Sequence, residues 1–301
     1  MTRPRRLALL LAVAATGCTT ELLPGELVLG VDVPVQTWWG TEASRLGDRV
    51  AWSGTAAAAT APTAHELWVE GEAGAADATA LAWAGDTLVW AGPSGGGVGD
   101  EARADLAGVR AMAGFDGAVA LAGRDGVALL DGVGFSTKAA DAVALDDTRV
   151  AARACADDGA CTLRTWDRVS GADLGEADLP AGDGGALAFV DGALCSGDPA
   201  LRVEDAAGEV ECEDGTSIVG ESGEHLGRAI GGGYVAGGFS PRLLPPRARL
   251  VPLGEGPIYT LEAGAEAQPL SLAGDGEVLL VGAPFQAHAG APAGAVFRVD
   301  R

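Results

Sequence analysis

Gly92-Pro93-Ser94-Gly95-Gly96 has the G-x-S-x-G spacing that lifts a nucleophilic serine onto a sharp strand-to-helix turn in serine hydrolases. That chemistry needs a helix after the serine and an acid and a histidine further along. Here a glycine-rich stretch follows, so the context argues against a nucleophile. His65, His225 and His288 are the three histidines of the chain and fall in unrelated segments. Each reads as a loop or structural residue and not as a general base. The carboxylate pairs Asp146-Asp147 and Asp157-Asp158, and the run Glu211-Cys212-Glu213-Asp214, stand in turn contexts. Turn chemistry accounts for them without a metal or a glycosidase pair. No catalytic residue, metal ligand or cofactor is assigned, and the expectation is a protein that is not an enzyme.

Tryptophan is the residue type most suited to ligand contact here, since it joins a large apolar face to one donor. All seven tryptophans, Trp38, Trp39, Trp52, Trp68, Trp83, Trp90 and Trp166, lie in the first 166 residues. Most occupy apolar runs, where wedging between packed sheets explains them better than ligand contact. Trp38 and Trp39 stand outside those runs and are the candidate contacts for a protein or carbohydrate ligand.

The N-terminus carries Arg3, Arg5 and Arg6, then an apolar stretch over residues 7–15, then Ala15-Thr16-Gly17-Cys18. A basic flank, a short apolar core and small residues make a secretory signal, too short to span a membrane as a helix. Small residues ending at a cysteine resemble the bacterial lipobox. That resemblance implies cleavage after residue 17, a diacylglyceryl anchor on Cys18 and a tether over residues 18–25. Thr19 in place of aspartate implies, by the same analogy, the outer membrane. Cleavage leaves 17 basic against 42 acidic side chains, a net charge of −25. Such a field opposes nucleic acid and anionic lipid, so membrane contact is expected through the anchor only, and the chain is expected to be a monomer.

Outside the cytoplasm the remaining four cysteines are expected as disulfides. Cys155 and Cys161 flank Ala-Asp-Asp-Gly-Ala, a turn sequence, and Cys195 and Cys212 lie at a separation suited to adjacent strands. The pairs 155–161 and 195–212 follow. Neither spacing is the C-x-x-C of a zinc site.

The elements that would position any of these residues repeat along the chain. A Gly/Asp turn followed by an apolar run recurs seven times. Its first apolar residues are Val50, Leu88, Val119, Val150, Leu194, Tyr234 and Val278, spaced 38, 31, 31, 44, 40 and 44 residues apart. Upstream runs at 80–84, 109–113, 142–145, 186–190 and 270–273 supply another strand. Downstream runs at 66–69, 126–130, 162–166, 201–203, 249–253 and 295–299 supply a third. No stretch sustains a helical stripe, and 47 glycines oppose one. This is the grammar of an all-β protein, a β-propeller of seven blades with three to four antiparallel strands each, over residues 26–301. Residues 26–35 are the candidate strand that closes the last blade. Small residues at Gly54, Gly92, Gly123, Gly237 and Gly282 are expected where strands crowd near the axis.

The C-terminal repeats resemble the FG-GAP repeat of integrin-alpha-type propellers. Gly223-Glu224-His225-Leu226-Gly227 matches the repeat's opening, and Val281-Gly282-Ala283-Pro284 with Gly294-Ala295-Val296-Phe297 matches its close. Many members of that family hold calcium in an Asp-x-Asp-x-Asp-Gly loop. Asp116-Gly117 and Gly274-Asp275-Gly276 each offer one carboxylate, too few for a cation that takes six to eight oxygens. The reading is a non-catalytic lipoprotein of the bacterial envelope that binds or scaffolds through propeller loops. The alternative is a degenerate propeller hydrolase or lyase acting on an extracellular polymer. Carboxylates or histidines converging on the axis would favour the enzyme.

Overall fold

A computed structural model describes residues 27–28, 35–156, 160–179, 185–200, 206–237, 247–262, 271–285, 287–288 and 291–301. They form seven antiparallel sheets, each built on four strands and one of them carrying a fifth, arranged as the blades of a β-propeller. The first strands of the blades make an inner ring: Val50–Trp52, Ala80–Ala84, Val109–Phe115, Ala142–Leu145, Leu187–Val190, Ala229–Gly231 and Ser271–Gly274. Each turns into a second strand through a tight hairpin. Asp116-Gly117 and Asp191-Gly192 take positive φ at both positions (45° and 74°, 50° and 80°). That is the turn type whose twist matches the flanking strands, and Asp-Gly accommodates it readily.

No blade can bury its own faces, so the core is divided among the gaps between blades. Ala51, Leu67 and Leu81 join blades 1 and 2, Val89, Leu106 and Val119 join 2 and 3, and Val127, Val143 and Trp166 join 3 and 4. Ala151 and Leu194 fill the gap between 4 and 5, Cys195, Val210 and Ile230 that between 5 and 6, and Tyr234, Leu279 and Phe297 that between 6 and 7. Leu46, Ala59, Val278 and Leu280 seal blade 7 against blade 1.

The ring is closed differently from the expectation. Val35–Trp39, not residues 26–35, is the outer strand of blade 7, in register with Ala295–Asp300 from Val35 opposite Val299 to Trp39 opposite Ala295. Leu27–Val28 pairs instead with Tyr259–Glu262, as a fifth strand on blade 6. The closing strand alternates Gln-Thr-Trp-Trp and not the aliphatic pattern of residues 26–35. What selects it is a pair of indoles that reach both neighbouring gaps. Two further boundaries differ. Val50 begins an inner strand, and the second strand of blade 1 is Ala57–Ala61. The third strand of blade 5 is Glu209–Cys212, while residues 201–203 lie outside the described residues.

Both cysteine pairs are bonded, Cys155 to Cys161 and Cys195 to Cys212. Each pair stands directly opposite across two neighbouring strands. Residues 1–26 are not described, so Cys18 and the expected signal segment lie outside the described residues.

Candidate functional site

The residues singled out for chemistry are not brought together. Ser94 sits in the two-residue turn between Thr87–Gly92 and Gly95–Val98, with Gly92 paired to Gly95, and a strand follows it where a hydrolase needs a helix. His65 is exposed in blade 1, its Nδ1 3.1 Å from Asp77. His225 is buried ahead of blade 6 with Nδ1 2.9 Å from the Pro199 carbonyl. His288 lies in a two-stranded ribbon, Ala287–His288 with Ala291–Pro292. Among the described residues, no three His, Cys, Asp or Glu side chains gather in a way that would hold a metal.

The carboxylates of the turns serve the turns. Asp146 accepts from the Thr148 and Arg149 N–H groups at 2.8 and 2.5 Å and from the Thr148 hydroxyl at 3.1 Å. Glu213 accepts from Arg149 and from the Leu194 N–H, and Asp214 from the Thr216 N–H. Asp157 and Asp158 lie outside the described residues. Asp275 accepts from the Glu277 and Val278 N–H groups and, across to blade 1, from the Trp52 indole at 2.7 Å. Burial works to raise its pKa, but those three donors outweigh it and hold the carboxyl below the ordinary aspartate value.

Trp38 and Trp39 are half-buried on opposite sides of the closing strand. Trp38 packs on the cluster shared with blade 1. Trp39 packs toward blade 6 and meets Phe297 edge to face at 6.2 Å between ring centres. The other five tryptophans also pack in gaps between blades.

A different set of residues converges, and sequence reasoning missed it. Where the inner strands begin, all seven blades border one cavity of about 300 Å³. Each blade supplies two consecutive residues. The second is always large and apolar: Val50, Leu81, Met112, Val143, Leu187, Ile230 and Leu272. The first is small in six blades, Ala80, Ala111, Ala142, Ala186, Ala229 and Ser271, and is Arg49 in blade 1. Pairing confirms the equivalence, because each of these first positions faces the same point of its second strand. Ala80 lies opposite Ala91, Ala111 opposite Ala122, Ala229 opposite Ala236 and Ser271 opposite Gly282, and the Thr60 N–H donates to the Arg49 carbonyl.

Asp141, Arg153, Gly185 and Arg228 complete the lining among the described residues. Arg153 is 5% exposed. It forks onto Asp141 at 3.1 and 2.9 Å and donates to the Gly185 carbonyl. Arg228 is half-buried, and loss of hydration lowers its pKa from the usual arginine value. Arg49 is exposed, and its guanidinium donates to the Asp48 carbonyl at 3.4 Å. Among the described residues the lining carries three guanidinium groups and one carboxylate, in a chain of net charge −22. On the opposite face, where the inner strands turn, blades 5 to 7 frame a cavity of about 430 Å³ with the reverse balance. Asp191, Asp214, Glu255 and Asp275 stand there against Arg301.

Arg49 and Arg228 are held by two loops of the same shape. Residues 40–47 lead into blade 1 and residues 220–227 into blade 6. Each takes positive φ at three alternate positions, Ala43, Arg45 and Gly47 (59°, 58°, 90°) and Gly223, His225 and Gly227 (77°, 49°, 99°). Each buries a leucine completely, Leu46 or Leu226, bridged in parallel to Gly294 or Gly208. The signal for this likeness was present in the sequence as Leu46-Gly47 and Leu226-Gly227. It was obscured because the residues between the flanking glycines differ.

No protein-family model matches the chain, and no curated protein matches it in sequence. Solved structures do match. The hydrazine synthase of Kuenenia stuttgartiensis covers 86% of this chain, with 97% of its own length aligned, at 11% identity and a TM-score of 0.57. The computationally designed protein Ika8 covers 85%, with 83% of its own length aligned, at 18% identity and a TM-score of 0.54. At these identities the likeness is one of fold.

Proposed function

We propose that this propeller is a non-catalytic binding module of the bacterial envelope, anchored through a lipid on Cys18, which takes its ligand at the face where the inner strands begin. The observation that carries this reading is the cavity bordered by all seven blades, a concave site on which charged side chains converge at a few points. Among the described residues its polar side chains are three arginines, one aspartate and one serine. Hydrolysis or elimination would need an acid and a base within reach of one bond. Kinship with FG-GAP propellers is supported by the twin loops at 40–47 and 220–227. The second loop carries the Gly223–Gly227 sequence that resembles the repeat's opening, and the strands Val278–Ala283 and Ala295–Asp300 carry the sequences that resemble its close.

The test uses the full chain, purified in detergent, against a panel of metabolites, peptides and glycans. A ligand should raise the melting temperature, slow amide exchange at residues 80, 111, 142 and 229, and be recovered unchanged. A ligand that is consumed would establish the enzyme in its place. Labelling with palmitate should be lost in Cys18→Ser, and retained label would overturn the anchor assignment.

A further inference from the structure

We infer that the cavity at the other end of the propeller, where blades 5 to 7 turn from their inner to their second strands, binds a small organic cation, a guanidinium or ammonium group on a compact body. Arg301 occupies it from within until such a ligand displaces it. This site lies on the opposite face from the ligand site proposed above and stands or falls without it.

The first argument is shape. The hairpins that close the inner strands carry an aspartate at the tip in five of the seven blades, at Asp86, Asp116, Asp147, Asp191 and Asp275. In blade 6 the tip is Gly232-Gly233, with φ of 56° and 75°, close to the 50° and 80° of Asp191-Gly192. The turn itself therefore does not call for a second glycine. Without a side chain there, a notch opens between Asp191 and Asp275, and its volume of about 430 Å³ is that of a metabolite site.

The second argument is a cation already lodged there. The Arg301 N–H donates to the Glu277 carbonyl at 2.7 Å, and its guanidinium lies 5.1 Å from the centre of the Tyr234 ring. It makes no ion pair with a described residue, so the ring and the surrounding field hold it. Phe189, the other aromatic residue of the lining, carries the Arg149 guanidinium at 4.6 Å. Both rings of this cavity thus accept a planar cation on their faces. The third argument is unanswered charge. Asp191 and Glu255 are exposed at the cavity and accept no hydrogen bond from a described residue. Asp214 and Asp275 accept only from neutral donors, which hold both below the ordinary aspartate value. Chain connectivity joins the other undescribed segments to strand ends at the opposite face. Residues 29–34, which run between strand ends at this one, contain no Lys, Arg or His. Among the described residues no three of these carboxylates gather closely enough for a metal, which favours a cation with a body of its own.

Calorimetric titration of the full chain with four aromatic probes tests this: benzamidine, benzylamine, benzyl alcohol and benzoate. At least one of the two cations should bind tenfold or more tightly than benzyl alcohol, and benzoate more weakly still. Asp191→Asn/Glu255→Gln should weaken the cation fivefold or more and leave benzyl alcohol unchanged. Asp86→Asn, at an exposed hairpin tip outside the lining, should change neither. Arg301→Ala, which vacates the cavity, should strengthen the cation threefold or more. Gly254→Trp, which builds into open space at the lining, should abolish binding with the circular dichroism spectrum retained. If benzyl alcohol or benzoate binds as tightly as the cations, or Asp86→Asn weakens them as much as the double variant, charge selection by this cavity is overturned. A cation that binds Arg301→Ala no better than the parent would remove Arg301 as the occupant. If no probe binds, or binding survives Gly254→Trp, the proposal falls and the site at the other face is untouched.

Discussion

At the scale of single residues, the glycines that look alike in the sequence do different work. Gly92 and Gly123 end second strands, Gly237 follows one and Gly282 is the last residue but one of another, and each lies beneath a segment that leads into an inner strand. A Cβ at Gly92 would lie 1.6 Å from the Asp77 carbonyl oxygen. The crowding is therefore between a strand end and a passing backbone, not at the axis, and Gly54 shares none of it, since it meets nothing and serves a turn with φ of 94°. Gly92→Ala should cost about 1–3 kcal/mol by overpacking against backbone that cannot swing away. Gly276→Ala, with open space around it and no positive φ, should stay within about 0.5 kcal/mol of the parent in denaturant titrations. Asp275 carries a second prediction at this scale. Its folded pKa is depressed, so its contribution to stability is complete above the unfolded value of about 3.9 and is lost as pH falls through and below it. Asp275→Asn should lower the melting temperature at pH 6 and should make the acid limb below about pH 4 shallower than the parent's. Parallel limbs would show that the Trp52 and backbone donors do not hold the charge in solution.

At the scale of elements, the strands that were legible are those with an apolar face. The inner strands of blades 2 and 4 fall at 80–84 and 142–145 as read, because both of their faces are covered by neighbouring blades. The outer strands escaped notice for the converse reason. Glu72–Ala75 is exposed at every residue and Asp173–Leu179 at all but the last, so neither leaves an apolar pattern to read. The closing strand was missed because residues 26–35 have the stronger aliphatic pattern, while the indoles of Trp38 and Trp39 decide the pairing. Trp38→Ala should cost about 3 kcal/mol, and Trp38→Phe much less. Deleting residues 1–39 should do more, since it leaves blade 7 with three strands and an open edge on Ala295–Asp300. Light scattering on heating should then rise well below the parent's melting temperature; an unchanged onset would mean that closure of blade 7 contributes little. The two disulfides were legible because each staples neighbouring strands across a short separation. In the chain-entropy account the bridge across 17 residues, Cys195–Cys212, contributes about 3 kcal/mol. The bridge across 6 residues, Cys155–Cys161, contributes about 2. Cys195→Ala/Cys212→Ala should therefore lower the denaturant midpoint more than Cys155→Ala/Cys161→Ala.

At the scale of the whole molecule, the candidate site was illegible because it belongs to no repeat. Arg49, Arg153 and Arg228 lie 104 and 75 residues apart in the chain, and Arg49 stands out only when its six counterparts are known to be Ala or Ser. Closing the ring is what makes those positions equivalent. Charge acts at the same scale. A net charge of −22 is spread over a shell whose blades must pack flank to flank, and the ion pairs that relieve it are mostly exposed, where each is worth little. Self-repulsion should therefore dominate the response to salt. Screening shortens from about 14 Å at 0.05 M to about 4 Å at 0.5 M sodium chloride. The melting temperature at pH 7.5, followed by the fluorescence of the seven tryptophans, should rise across that range. Near the isoelectric point of about 4.3 the repulsion is gone and only favourable pairs remain to be screened, so the same titration should be flat or should fall. A fall at pH 7.5 would mean that exposed local pairs such as Arg103 with Asp105 and Asp131 outweigh the global charge.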